Sequence, residues 1–320
     1  MKRLARRALH SLLLVVATTF ACFLFADLAP GDFYSEMRLD PRVSQEAVAR
    51  MRAETGLNRP LALRYGTWAA GAVRGDFGYS LAYGSSVGPL LWERARATLF
   101  LASAATLLAW LLAVPLGIWM AVRRGGWMDG AWRGALALLL SVPELLLAIV
   151  FLVLAVKSGL FPAGGMTADD FQSMSLWAQA GDLLRRLVAP VSVLALGALP
   201  VIARHVRASV GETLDAPFVT VAVAQGIPKG RLLWRHVLPA AMNPLISLFG
   251  LSLGALLSGS LLVEAVMGWP GIGPLFLDAV MARDFPIVLA VVTLSTVFLM
   301  AGNIVADALL SFADPRIGAR

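Results

Sequence analysis

Charge is scarce in this chain, and thiol is almost absent. Asp, Glu, Lys and Arg make up 15% of its 320 residues against 58% hydrophobic, with a net charge of +7, a balance outside the soluble range. Cys22 is the only cysteine, which rules out an internal disulfide or thiol-ligated cluster and leaves it as a small apolar residue. His10, His205 and His236 are far apart in sequence, with no companion ligands at metal-binding spacing, so no metal site is expected. There is no Gly-x-x-x-x-Gly-Lys-Ser/Thr phosphate loop; the run Gly226-Ile-Pro-Lys-Gly lacks both its spacing and its terminal hydroxyl. A nucleophile elbow, a His-Glu-x-x-His helix and paired carboxylates with a task are missing too. These absences speak against ATP hydrolysis by this chain and against a catalytic membrane enzyme. No low-complexity tract or internal repeat is found, and an inverted repeat would have hinted at a secondary transporter.

What is present is apolar sequence in lengths that cross a bilayer. Charge-poor runs near 9–28, 97–122, 134–156, 187–206, 243–263 and 286–307 read as six membrane-spanning helices. The basic start and Ser11–Phe25 have the look of a secretory signal, and Thr19–Cys22 of a lipoprotein site. The apolar run continues past Cys22 without a small-x-small cleavage site, so an uncleaved first span is expected. Lys2, Arg3, Arg6 and Arg7 precede that span, Arg123, Arg124 and Arg133 surround the turn after the second, and Arg316 and Arg320 follow the last. Arg204, Arg207, Lys229, Arg231 and Arg235 cluster between the fourth and fifth, while the alternate short loops carry Asp169, Asp170, Asp182, Asp278 and Asp284. Basic loops stay on the cytoplasmic side, so both termini are expected inside. The scattered basic residues form no stripe for nucleic acid, so no nucleic-acid partner is expected. The chain is thus read as an all-α polytopic membrane protein in three segments. Residues 1–28 are the first span with its basic start, 29–96 an outer helical segment, and 97–320 a five-helix core that includes the loop 207–240. In the outer segment, Pro41 opens a helical pattern that Gly56 stops.

One loop stands out. Gly211–Ala240, GETLDAPFVTVAVAQGIPKGRLLWRHVLPA, is the longest stretch of the last half that does not fit one span. Pro217 suits a first helical position, Gly226 a left-handed stop, and Pro228 the start of a second pattern ending around Leu238-Pro239. A helix–glycine–helix elbow between two spans, basic at its far end, suits a docking knob for a soluble partner. Ala222, Ala224 and Gly226, with Leu238 and Pro239 twelve and thirteen residues after the glycine, resemble the cytoplasmic "EAA" loop of ABC-importer permeases.

The resemblance runs along nearly the whole chain and is closest to the dipeptide/oligopeptide/nickel branch. It rests on Pro30-Gly31-Asp32, Gly56-Leu57 with Pro60-Leu61, Gly75-Asp76-Phe77-Gly78 with Ser80, and Thr98-Leu99. It continues through Pro115-Leu116-Gly117, Arg123-Arg124, Ser141 and Pro143, then Glu264, Pro270-Gly271-Ile272-Gly273, Arg283-Asp284 with Pro286, Asn303, Asp307 and Asp314-Pro315-Arg316.

It implies a type I importer permease of a bacterial plasma membrane. Such a subunit pairs with a second, homologous permease, two ATPase subunits that hold ATP and Mg, and an extracytoplasmic solute-binding protein. No cofactor is expected on this chain itself. Ala222, Ala224, Gly226, Pro228, Lys229, Arg231, Arg235, Leu238 and Pro239 would be the ATPase-coupling residues, with Ala222 and Ala224 keeping the first helix thin. The basic side chains would pair with acidic groups on the ATPase or rest beside lipid phosphates. On the blander reading Gly226 is an ordinary helix stop and the arginines mark topology. Peptide is the first-choice solute; nickel or another small solute fits the same framework, and an ion-coupled carrier or a membrane scaffold would be different classes.

Two departures from the family pattern are visible. Thr220, Val223 and Gln225 stand where relatives carry basic residues, leaving the first elbow helix apolar. Glu144, after Pro143 in the third span, stands where relatives tend to be apolar, and a carboxylate at that depth is costly. It would either line the translocation path and meet a cationic group or be satisfied between helices. Glu264, Pro270, Gly271 and Gly273 are expected as an outer-side turn, either contacting the binding protein or purely structural.

Overall fold

The computed structural model describes residues 2–28, 46 and 59–313. The expected helix opened by Pro41 and stopped by Gly56, the Pro30–Asp32 fragment and the closing Asp314–Arg316 lie outside the described residues. The elements, in chain order, are α1 (Lys2–Leu28), α2 (Leu61–Ala72), a short hairpin of β1 (Tyr79–Ser80) and β2 (Ser85–Ser86), α3 (Val87–Val122), α4 (Trp127–Ser141) and α5 (Glu144–Ser158). After a 3-10 turn at Phe171–Ser173 come α6 (Leu176–Leu214), α7 (Pro217–Ala224), α8 (Lys229–Leu232), a π-helical turn at Leu233–Val237, α9 (Leu238–Gly259), α10 (Leu261–Val266), α11 (Ile272–Met281) and α12 (Phe285–Ala313). They form two compact units, one of residues 1–98 with 270–298 and one of 99–269 with 299–320.

Five of the six expected spans are single helices long and apolar enough to cross a membrane, and the expected third is a bent pair of shorter helices. The apolar side chains along α1 and α5 stay largely exposed, as membrane helices require. α6 is 39 residues long, about 58 Å at the helical rise, so it outruns a hydrocarbon core of about 30 Å. The third span is corrected. Residues 134–156, expected as one helix, are the two helices α4 and α5, bent by 92° at Val142–Pro143. The cause is local: Pro143 offers no N–H to α4, and its ring forces Val142 into an extended conformation (φ −85°, ψ 121°).

In the first unit, α1 and α2 pack through rings, with Phe20 and Phe23 edge-on to Tyr65 at 5.2 and 5.7 Å. β1 and β2 pair antiparallel with Tyr79 opposite Ser86. Buried Asp284, ahead of α12, accepts from Ser80 Oγ at 2.7 Å and from the Ala82 N–H at 3.0 Å. Gly75–Ser80 and Arg283–Pro286, two separate fragments in sequence, are thus one structural knot.

The second unit is built around α6. Ala109 and Ala113 of α3, Met120, Leu136 of α4, and Ala195, Ile202, Ala203, Val206 and Val210 of α6 form its buried core with the elbow. Small residues set the spacing, for a Cβ at Gly117 would lie 2.6 Å from Val206 Cβ. Helices in a bilayer associate through such close contact, because lipid gives no hydrophobic drive between them.

Candidate functional site: the elbow between two spans

Ala216 is extended (φ −66°, ψ 143°), and Pro217 follows as the first residue of α7, where its missing N–H costs nothing. At the other end Gly226 has φ +80°. Its N–H donates to Val223 O at 2.9 Å, and the Ile227 N–H donates to Ala222 O at 3.1 Å. Those two bonds around a left-handed glycine are a Schellman stop, and the accompanying apolar contact is there, with Ile227 packed on the cluster that contains Ala222. Pro228 then turns the chain (φ −58°, ψ 138°) into α8.

The second half differs from expectation. The pattern expected to end around Leu238-Pro239 continues through them, so that α8, the π turn and α9 make one apolar run, Lys229–Leu257. The π turn at Leu233–Val237 lies just ahead of Pro239. An α-helical proline there would lose a ladder bond and press on the Arg235 carbonyl; the wider turn shifts those carbonyls away. Leu-Pro therefore marks a passage into the fifth span and is no stop.

The elbow has two faces. Val219, Ala222, Leu232 and Val237 are buried with Val206, Val210 and Ala241. Ser209 Oγ, on α6, donates to Ala241 O at 2.9 Å. The opposite face is open and apolar, with Phe218 44%, Val221 56% and Val223 56% exposed. Ala224, Gly226, Pro228, Lys229, Arg231, Arg235 and Pro239 are exposed, and Leu238 is half-buried. Ala222 is turned inward at 8% exposure and packs in the cluster that contains Val206 and Val210 of α6.

The base of the elbow is tied down by groups that sequence reasoning missed. Asp215, between α6 and α7, takes both terminal nitrogens of Arg124, from the turn between α3 and α4. Those bonds hold its carboxyl below the usual carboxylate range. Asp129, fully buried in α4, accepts Arg207 Nε and Nη2 at 2.8 Å each and the Gly125 N–H at 3.2 Å. Arg124, Arg133 and Arg207 were read as topology markers; two of the three have acid partners at close range and Arg133 lies 3.6 Å from Asp129. The available signal was an acid inside a basic turn.

Glu144 is the first residue of α5, at the break in the span. Its carboxylate lies against Gly197 of α6, where a Cβ would sit 2.6 Å from Oε1. The space for the acid comes from a missing side chain on another helix, which no local pattern announces. Among the described residues no charged or hydrogen-bonding side chain pairs with it.

The outer-side candidates separate from these. Glu264 is fully buried in α10 and accepts from Ser260 Oγ at 2.9 Å, so its side chain offers no surface. Gly271 and Gly273 are buried, Pro270 is half-buried, and the Ile272 N–H donates to buried Thr98 Oγ1 at 2.9 Å. This turn is packed.

At least five helices long and apolar enough to cross a membrane, with a folded elbow between two of them, describe a polytopic membrane protein. The comparisons agree. Residues 113–319 match the family described as binding-protein-dependent transport system inner membrane component. The chain is 32% identical over 314 residues to the oligopeptide transport system permease protein AppB of Bacillus subtilis, covering 98% of each. It is 30% identical to the dipeptide transport system permease protein DppB of Escherichia coli, covering 94% of each. A chain of the MetNI methionine ABC transporter superposes with a TM-score of 0.53 at 19% identity, over 70% of this chain and 96% of that one, which shows a shared fold. The chain belongs to the binding-protein-dependent transport system inner membrane components, and is a multi-pass subunit of an ABC transporter in the inner membrane.

Proposed function

We propose that the chain is the membrane subunit of an ATP-driven peptide importer and that its elbow, 207–240, docks on a cytoplasmic ATPase. The observation that carries this is the elbow's construction: one face is locked into the core through Val219 and Ala222, and the other presents Phe218, Val221 and Val223 to the outside. A knob fixed from behind and apolar in front moves as one body with the helices it belongs to, which is what a mechanical link needs. Both termini and the elbow lie in the cytoplasm on this reading, in keeping with the arginine-rich loops. A second, homologous permease completes the path, two ATPase subunits supply ATP and Mg, and an extracytoplasmic binding protein delivers the solute. Peptide is supported by the names of the relatives, oligopeptide and dipeptide permeases. Glu144, at the break between α4 and α5, lines the path and meets the peptide's cationic amine. The apolar face of α7 meets an apolar groove on its ATPase, with Lys229, Arg231 and Arg235 at the rim or beside lipid phosphates.

The test is uptake of a labelled dipeptide, and separately of labelled nickel, by cells with and without the gene, repeated with ATP depleted and the ion gradient held. Loss of ATP-dependent dipeptide uptake on deletion is the expected result. Loss of nickel uptake alone would move the substrate, and uptake that survives ATP depletion would overturn the ATP-driven reading.

A further inference from the structure

The turn between α3 and α4 holds the base of the elbow at two points, both within the unit of residues 99–269. Arg124 grips Asp215, two residues before α7 begins. Asp129 grips Arg207, two helical turns earlier on α6, while also bonding the Gly125 N–H of the same turn. Asp129 is 0% exposed and Arg207 27%, and a bidentate guanidinium–carboxylate pair fixes angle as well as distance. The two pairs are about two turns apart on α6, so they resist rotation of its end as well as sliding; one pair alone would act as a pivot.

We infer that this double clamp is the link through which movement of the elbow is passed to the α3–α4 hairpin, making Arg124, Asp129, Arg207 and Asp215 positioning residues of the transport cycle. The inference rests on the docking role proposed for the elbow. Buried apolar contact between α6 and α3 also joins the two, and the paired charges add fixed angles to it. Hydrogen bonds of fixed geometry favour one arrangement over its neighbours, and so pass a displacement on without absorbing it.

The experiment uses the whole complex, with its second permease, ATPases and binding protein, in liposomes, measuring labelled dipeptide taken up per ATP hydrolysed. Arg124→Glu and Asp215→Arg probe the exposed pair, where folding is not at stake, and Asp129→Asn with Arg207→Gln the buried one. Each single variant is expected to keep its ATPase subunits on purification and to hydrolyse ATP, while uptake per ATP falls by between about twofold and thirtyfold. The exchange Arg124→Glu with Asp215→Arg is expected to recover most of the loss, which simple loss of surface charge would not allow. Unchanged uptake per ATP in the single variants, or an exchange no better than its parts, would overturn the clamp. So would loss of the ATPase subunits from the Arg124 or Asp215 variants, which would make these residues docking supports. A wild-type complex whose uptake ignores ATP would instead contradict the proposed function.

Discussion

Two turns of this chain look alike as strings of glycine and proline, and the fold treats them in opposite ways. In the elbow, Pro217, Gly226 and Pro228 place a short helix with one face on the core and an apolar face outside. In the other, Glu264 is sealed inside α10 against Ser260, and Gly271–Gly273 open α11 with their backbone buried. Turn residues record where a chain changes direction. Whether the corner is a handle or a joint depends on which side chains remain outside, and that is a property of the packed fold.

Substitutions can break that contrast. Gly226→Leu should have the largest effect. A Cβ there meets nothing within 4 Å, so the whole cost is the left-handed backbone (φ +80°), about 1–2 kcal/mol for an ordinary residue. The elbow would re-angle while the chain still inserts, and uptake should fall close to background; Gly226→Asn, which tolerates that backbone, should be mild. Next comes the exposed face. Phe218→Asp or Val221→Asp should leave thermal stability unchanged and weaken capture of the ATPase by about thirtyfold or more, the scale of a central apolar anchor. Unaltered capture would make the elbow a joint like the other turn.

Glu144→Gln should reduce the preference for peptides with a free amine over N-acetylated ones by about tenfold, the discrimination expected for one lost ion pair. Equal uptake rate and preference would remove Glu144 from the path. At the buried turn the readout changes: Glu264→Ala should lower thermal stability by about 1–3 kcal/mol through the lost Ser260 hydrogen bond and the space left in the packed turn, with uptake per assembled complex unaltered. The smallest effect is a pH dependence at Asp215. Arg124 depresses its folded-state pKa, so the pair's stabilisation is complete above the unfolded value, about 3.9, and is lost as pH falls through the lower folded value. Melting curves of wild type and Arg124→Ala should differ slightly at neutral pH and converge in strong acid.

Much of the fold was legible because a bilayer demands long apolar runs, and six of these stand out from composition alone. The start and stop of α7 were legible too, since Pro217 and Gly226 act locally. The break at Pro143 was hidden by continuity, as leucines run on both sides and Ser141 and Pro143 alone interrupt the apolar run before Glu144. The passage of Leu238-Pro239 into α9 was hidden by a π turn, for which these residue types give no distinctive pattern. Asp129 and Gly197 depend on partners 78 and 53 residues away, Arg207 and Glu144, beyond the reach of spacing rules. Which face of α7 is buried was not legible, because an eight-residue helix made almost wholly of apolar residues defines no single stripe.

The central claim is that the elbow converts ATP hydrolysis into solute movement. Its most direct test measures hydrolysis and dipeptide uptake together in liposomes carrying the complete complex, with wild type beside Gly226→Leu. The account predicts that hydrolysis persists in the variant while uptake is lost. Wild-type uptake per ATP with leucine at that position would contradict it.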